Sequence, residues 1–421
     1  MAQHFVVYTV IHQPRRLRLP AQPIAAGASP DEVAHALFDA EMDQRYLEQV
    51  ATKCYRPATA MFQELAEGGL KLGLGLSLSF VRQAQLWDPE LLAEIRRLIR
   101  HPNVELVAVE PYHSFLFYVD IRRFVQRMEW VREELARLFG KRPVVTDTTE
   151  MFMANDIYYA LRQAGYEGAV MDGREWVMQW RDPTHLYRYA DRPYLLCRNY
   201  PLSDDVGYRF SNRGWEGWPL RADTYAHWIR EARGDFVFVG WDYETFGEHH
   251  WQETGIFDFM RHLPGELARR GMEFATPSEA IDLYRDRAYH LPLPEFPTTW
   301  AGSGGVEFFL GNSAQQAVFQ LMHHAYNKAV LTGNEAWIDL ACWLLQSDHL
   351  HLIQWFGRMG QEAEVSAYFT PREWWGLGPV GIVTEIQNVY KNFIRALDTP
   401  GESVDAATPR RRAVARTSRA A

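Results

Sequence analysis

The feature that most constrains this chain is a succession of short, near-continuous apolar runs, each followed by a helical pattern, over about the first 280 of its 421 residues. The runs are Phe5–Ile11, Leu70–Ser79, Val104–Glu110, Val144–Thr148, Gly168–Met171 and Phe236–Trp241. A strand with one wet face alternates apolar and polar residues, whereas a parallel strand covered on both faces is apolar throughout. The runs therefore predict parallel strands wrapped by helices. Between them, Asp120–Phe139 places Phe124, Met128, Val131, Leu135 and Leu138 on one stripe, and Gly140 follows as a candidate C-cap. A second pattern, Ile157–Ala164, leads through Gly165 into the Gly168 strand. This alternation predicts an α/β barrel or a doubly wound sheet.

From Trp300 the texture changes. A Gly-rich turn, AGSGG, leads to a helix from about Ser313, with Ser313 and Gln316 spaced as a capping box and Val318, Leu321, Met322, Ala325 and Ala329 as its stripe. The turn lacks the GxxxxGK[ST] ending of a phosphate loop and reads as a tight connection. Further helical segments fall around Trp337–Gln346 and Ile382–Ala396. The expected division is a catalytic unit over 1–299, a helical C-terminal region over 300–398 that completes the active site, and a disordered Arg-bearing tail over 399–421.

Composition narrows the function. A formal net charge of −9 argues against general nucleic-acid affinity. Cys54, Cys197 and Cys342 form no CxxC pair, which disfavours a disulfide framework and a structural zinc site. The run Phe5–Ile11 is too short to cross a bilayer and has neither a basic segment before it nor a small-residue cleavage site after it. A cytoplasmic protein is expected, with no membrane partner. Aromatic residues reach 14%, with 15 Trp, which suits sugar-ring stacking and large cores alike.

In α/β barrels the reacting groups sit just past the carboxyl ends of strands. His12-Gln13-Pro14 follows the first run, Pro111-Tyr112-His113 the third, Thr149-Glu150 the fourth, and Asp242-Tyr243-Glu244 with Gly247-Glu248-His249-His250-Trp251 the last. A glycosidase needs two carboxyls, one protonated and one ionised, across the scissile bond. Glu110, Asp147, Glu150, Asp242, Glu244 and Glu248 are the candidates. The competing chemistry is a catalytic zinc held by Glu248, His249 and His250 with His12 and His113, although no HExxH pattern is present.

At these residues the chain resembles glycoside hydrolase family 57, especially its α-amylase-type members. The resemblance rests on HQP at 12–14, GLKLGLGLSLS at 69–79, YHS at 112–114, VTDTTEMFMAND from Val145, NYPLSDDVGYRFS at 199–211, WDYETFGEHHW at 241–251 and LLQSDHLHL at 344–352. It implies an incomplete seven-stranded (β/α) barrel followed by a C-terminal α-helical region. It also implies a retaining mechanism on α-1,4-glucans, with Glu150 as nucleophile, Asp242 as acid/base, and neither metal nor other cofactor. Substrate contacts are implied for His12, Gln13, His113, Asp348 and His349. Trp241, Tyr243, Phe246 and Trp251 would line sugar subsites, with core packing as their competing role. Arg15 after HQP and Leu-His-Leu after Asp348-His349 depart from the aromatic residues usual in α-amylase members. A 4-α-glucanotransferase, a branching-type enzyme and a weakly catalytic glucan-binding relative are the alternatives.

Overall fold

The computed structural model describes residues 1–357 and 370–398. Among these, ten strands form one sheet: β1 (His4–Ile11), β2 (Leu72–Leu76), β3 (Val104–Ala108), β4 (Val145–Thr146), β5 (Gly168–Asp172), β6 (Leu186–Arg188), β7 (Tyr194–Arg198), β8 (Phe236–Asp242), β9 (Glu273–Phe274) and β10 (Tyr289–His290). Parallel pairing runs β8-β1-β2-β3-β4-β5-β7. β6 adds to β7 in antiparallel fashion, β10 pairs β6, and β9 pairs the start of β1. The two ends of the seven-stranded run meet without a strand ladder. Asn199 N donates to Phe238 O at 2.8 Å, and the Arg198 side chain donates through Nε to Gly240 O at 2.8 Å. The architecture is thus a barrel with a seam between β7 and β8, not a doubly wound sheet.

The pleat sorts each strand into two faces. Val6, Tyr8 and Val10 of β1 point into the lumen with Phe236 and Phe238 of β8, while Phe5, Val7, Ile11, Val237 and Val239 pack outward on the helices. The glycines of LGLGL in β2 make room for Tyr8 to cross the lumen. A Cβ on Gly75 would lie 2.6 Å from the Tyr8 hydroxyl and 2.8 Å from Val109. Ile281 and Tyr284 of helix Pro277–Tyr284 join the lumen cluster.

Several expected boundaries shift for local reasons. The run Leu70–Ser79 breaks at Ser77, whose hydroxyl accepts from Phe80 N and starts helix Leu78–Trp87. The capping box of helix Ser313–Leu331 is Asn312 with Gln315, one residue earlier than the Ser313–Gln316 reading. The helix expected from Asp120 spans Ile121–Phe139, with Asp120 as N-cap and Gly140 in the left-handed region at φ 76°. Strands β6 and β7 were not expected. β6 is only three residues long, and the apolar run of β7, Tyr194–Cys197, is short and confined between Pro193 and Arg198. Helices Ser313–Leu331, Glu335–Leu344 and Gly378–Asp398 pack together after the barrel. The tail over 399–421 lies outside the described residues.

Candidate active site

Strand ends bring a polar ring to one edge of the barrel. His12 directly follows β1 and Ser77 directly follows β2. Glu110 and His113 come shortly after β3, and Asp147 and Glu150 after β4. Asp172, Arg198 and Asp242 end β5, β7 and β8. His12 is clamped at both nitrogens, Nδ1 to Ser77 Oγ at 2.8 Å and Nε2 to Asp348 Oδ2 at 3.0 Å, and its ring stacks on His113 at 4.2 Å. Burial works against ionisation of Asp348, but the charge of His12 and its hydrogen bond hold the carboxyl well below the usual range. Burial, with His12 nearby, pushes His113 down to about 3, so its imidazole is neutral.

Glu150 sits in the turn Thr149–Met151 at φ 51°, ψ 32°, and Met151 follows at φ 53°. His113 is also left-handed, at φ 59°. Side-chain-bearing residues avoid this region, so it persists only where contacts over-determine it. Here the Glu150 carbonyl accepts from Thr299 Oγ1 at 2.6 Å and Trp300 N at 3.3 Å. Its carboxylate Oε2 accepts from the Trp300 indole at 2.6 Å, and Oε1 lies 3.8 Å from His113 Nδ1.

Asp242 follows the lumen-facing positions Phe236, Phe238 and Gly240 at two-residue spacing, so the pleat turns its carboxyl inward. Burial raises both carboxyls. Glu150 rises to about 8, with the Asp242 charge adding to the effect. Asp242 rises to about 6, with Arg198 and His12 opposing the rise. The pair therefore retains a proton at neutral pH.

A braced cation stands beside this pair. Arg198 bonds Asp172 Oδ1 at 3.0 Å and Asp204 Oδ1 at 2.7 Å, and its guanidinium lies 5.6 Å from the Trp300 ring centroid. Arg174 bonds Asp172 Oδ2 at 2.5 Å and donates to the Trp300 carbonyl at 2.5 Å. The Tyr8 hydroxyl donates to Asp147 Oδ2 at 2.7 Å, and burial raises Asp147 to about 7. On the rim, Gln13 donates to the Tyr55 hydroxyl at 2.8 Å, which donates to Glu244 at 2.5 Å.

The structure thus gathers His12, His113, Glu150, Asp242 and Asp348, and places the other expected contacts elsewhere. Trp241 points out of the barrel, donates to Ser203 O at 2.8 Å and packs edge-on against Phe246. Tyr243 is buried against Phe62, its hydroxyl 2.9 Å from Thr59 Oγ1. His349 bonds the Tyr390 hydroxyl and the Arg15 carbonyl, at 2.9 and 3.0 Å. Gln13 is buried in the rim. Trp251 is 63% exposed beside a groove of about 500 Å³.

The ligand set Glu248, His249 and His250 with His12 and His113 is not assembled. The two His250 nitrogens face Ser211 Oγ at 2.7 Å and Gly207 O at 3.2 Å. Among the described residues, the set whose ligand atoms lie together, within 4.8 Å, is His12, His113 and Asp348. Arg198 and Trp300 were missed in the sequence. Arg198 ends a strand whose apolar run, Tyr194–Cys197, was not among those expected, and the one signal for Trp300 is its position beside the AGSGG turn, where Thr299 N pairs Gly304 O at 3.0 Å. Cys54, Cys197 and Cys342 are buried free thiols. No helix among the described residues is long and apolar enough to cross a membrane.

Comparison with known proteins agrees with this layout. A curated protein of Methanocaldococcus jannaschii named "Putative alpha-amylase" is 34% identical over 315 residues, 74% of this chain and 66% of that protein. The chain thus spans just under two thirds of that relative. The structure of a GH57 branching enzyme from Thermococcus kodakaraensis superposes with a TM-score of 0.64 at 12% identity, covering 96% of this chain and 92% of that one. The 4-alpha-glucanotransferase from Thermococcus litoralis gives 0.60 at 14% identity, over 84% of this chain and 59% of that one. Likeness at these identities shows the fold. Residues 8–294 match the model of glycosyl hydrolase family 57, and the chain belongs to that family.

Proposed function

We propose that the protein is a retaining glycosidase that cleaves α-1,4 bonds of starch, glycogen or maltodextrins in the α-amylase manner. The observation that carries this reading is the buried pair Glu150 and Asp242, each carboxyl raised and the charge of one felt by the other, at the carboxyl edge of the strands. Glu150 attacks the anomeric carbon while Asp242 protonates the departing oxygen. Asp242 then takes a proton from the water that releases the sugar. The two carboxyls share a proton as a pair, and the attack needs it on Asp242. The Trp300 indole, a donor to the ionised form of Glu150, favours that placement.

In this reading the barrel of residues 1–299 supplies both carboxyls and the region 300–398 supplies Asp348. His12, neutral His113 and ionised Asp348 take hydroxyls of the reacting sugar. The His12, His113 and Asp348 set then serves the sugar, and no metal or other cofactor takes part. The three buried thiols suit a reducing cytoplasm.

Maltoheptaose digestion followed by proton NMR tests the proposal. Shorter oligosaccharides released first as the α-anomer, undiminished by EDTA, are expected. First release of the β-anomer overturns the double displacement, longer products replace hydrolysis by transfer, and activity lost to EDTA and restored by zinc overturns the metal-free reading.

A further inference from the structure

Arg15 stands after HQP where α-amylase members usually carry an aromatic residue, and nothing in the proposed reaction uses it. Its side chain is half-buried, with the guanidinium carbon 4.1 Å from the Phe38 ring centroid and 5.3 Å from that of Trp343. From helix Leu78–Trp87, the exposed Arg82 reaches the same rings, 5.5 Å from Trp343 and 5.3 Å from Tyr112. Tyr112 and Trp343 stack at 4.1 Å, so both cations lie against one aromatic block. Stacking occupies the face of a guanidinium and leaves the N–H groups of its edge available.

No carboxylate takes up those edges. Among the described residues, neither the Arg15 nor the Arg82 side chain makes a hydrogen bond or an ion pair. The carboxylates around them are engaged by other arginines. Asp43 lies 3.3 Å from Arg16, and Asp339 Oδ1 accepts from Arg127 Nη2 at 2.8 Å and from the Tyr112 hydroxyl at 2.7 Å. Glu134, which also feels the charge of Arg82, accepts from Arg137 on both oxygens at 2.8 and 2.6 Å. Burial draws Arg15 below the usual guanidinium range, the Asp43 charge opposes the fall, and the charge of Arg82 adds to it. Two like charges therefore share one corner with their donors uncommitted.

An anion would relieve both. A carboxylate has oxygens for one guanidinium fork, whereas a phosphoryl group presents three oxygens and serves two. The net charge of −9 disfavours a nucleic acid as its carrier, which leaves a small molecule. We infer that Arg15 and Arg82 together bind a phosphoryl group, as free phosphate or as the ester of a sugar, beside the loop that carries His12. The site goes beyond the glycosidase reading and stands without it. Gln83, next to Arg82, donates to Gln13 O at 3.2 Å and Pro14 O at 2.9 Å. Arg15 N donates to Gln346 Oε1, and Arg15 O faces His349 Nε2, both at 3.0 Å. A bound anion thus braces the loop of His12 against the segment of Asp348.

Titration calorimetry of the full chain at low ionic strength and mildly alkaline pH tests the site, with inorganic phosphate, glucose 6-phosphate and glucose as probes. Wild type should bind phosphate saturably, one per chain. Arg82→Gln and Arg15→Phe should each weaken binding about tenfold or more, the loss of one charge-assisted fork. Arg82 is exposed, so its variant decides the matter even if Arg15→Phe fails to fold. Glucose 6-phosphate bound more tightly than phosphate, and weakened in Arg82→Gln, supports the site with a sugar ester as its ligand; equal or weaker binding supports it with the free ion. Absence of saturable binding of both phosphates by wild type, binding unchanged in Arg82→Gln, or glucose bound as tightly as its phosphate overturns the inference.

Discussion

Asp242 is the last residue of a seven-residue strand, and the pleat that sends Phe236 and Phe238 into the lumen sends its carboxyl the same way. Glu150 hangs instead on a three-residue turn with its backbone at φ 51°, held by Thr299 and Trp300 from nearly 150 positions further along the chain. A strand end aims a side chain at no conformational cost, so Asp242 can be tuned from outside by Arg198. A left-handed turn costs about 1–3 kcal/mol and exists because its partners offset that cost. One carboxyl is placed by regular structure and adjusted by charge, the other by strain and adjusted by a single donor.

The largest effect that could break this comparison is loss of either carboxyl. If Glu150 is the nucleophile as proposed, Glu150→Gln should lower kcat by about 10⁴-fold or more on every glucoside. Asp242→Asn should cost about 10²–10⁴-fold on maltodextrin but far less on a dinitrophenyl maltoside, whose leaving group needs no proton. Rescue of the Glu150 variant by that substrate, and not of the Asp242 variant, would exchange the two roles. Next comes Arg198→Met, which leaves buried Asp172 with Arg174 as its remaining cation and half-buried Asp204 without the guanidinium it bonds at the β7–β8 seam. A stability loss of about 3–5 kcal/mol is expected in urea titration, and a loss below about 1 kcal/mol would mean that the backbone alone closes the barrel.

Trp300→Phe sharpens the Glu150 side. Removing a donor to a carboxylate costs about 1.5–3 kcal/mol, which reads as a fall in kcat/KM of roughly 10–100-fold. Because the lost bond favoured ionised Glu150, the acid limb of the pH profile should move to higher pH, and a shift downward would contradict the assignment. The smallest effect is thermal. Glu150 is raised from 4.5 to about 8 in the folded protein, so the native state holds more protons than the unfolded chain in that window, and stability falls as pH rises through it. Glu150→Gln removes the dependence and should gain a few degrees in Tm over wild type at pH 8, with little gain at pH 4. Equal gains at both pH values would show that Glu150 is not the group responsible.

The barrel was legible because parallel strands are apolar on both faces, and His12, Glu150 and Asp242 were legible because they stand where such runs end. The same period of two argues against Trp241, which must face away from Asp242 as its immediate neighbour on the strand. Asp348 and His349 show the same limit on a helix turn, where adjacent residues serve opposite sides. Arg198 and Trp300 act through contacts that neither local pattern nor spacing reveals. Their partners Asp172, Asp204 and Glu150 lie from 6 to 150 positions away.

Beneath the carboxyls, Tyr8 spans the lumen to Asp147, and Phe236, Phe238, Ile281 and Tyr284 fill what lies below. The axis of the barrel is therefore a dead end, and whatever reaches Glu150 must come and go by the same mouth. Under the proposed glucan reading, arriving chains and departing fragments share that single rim.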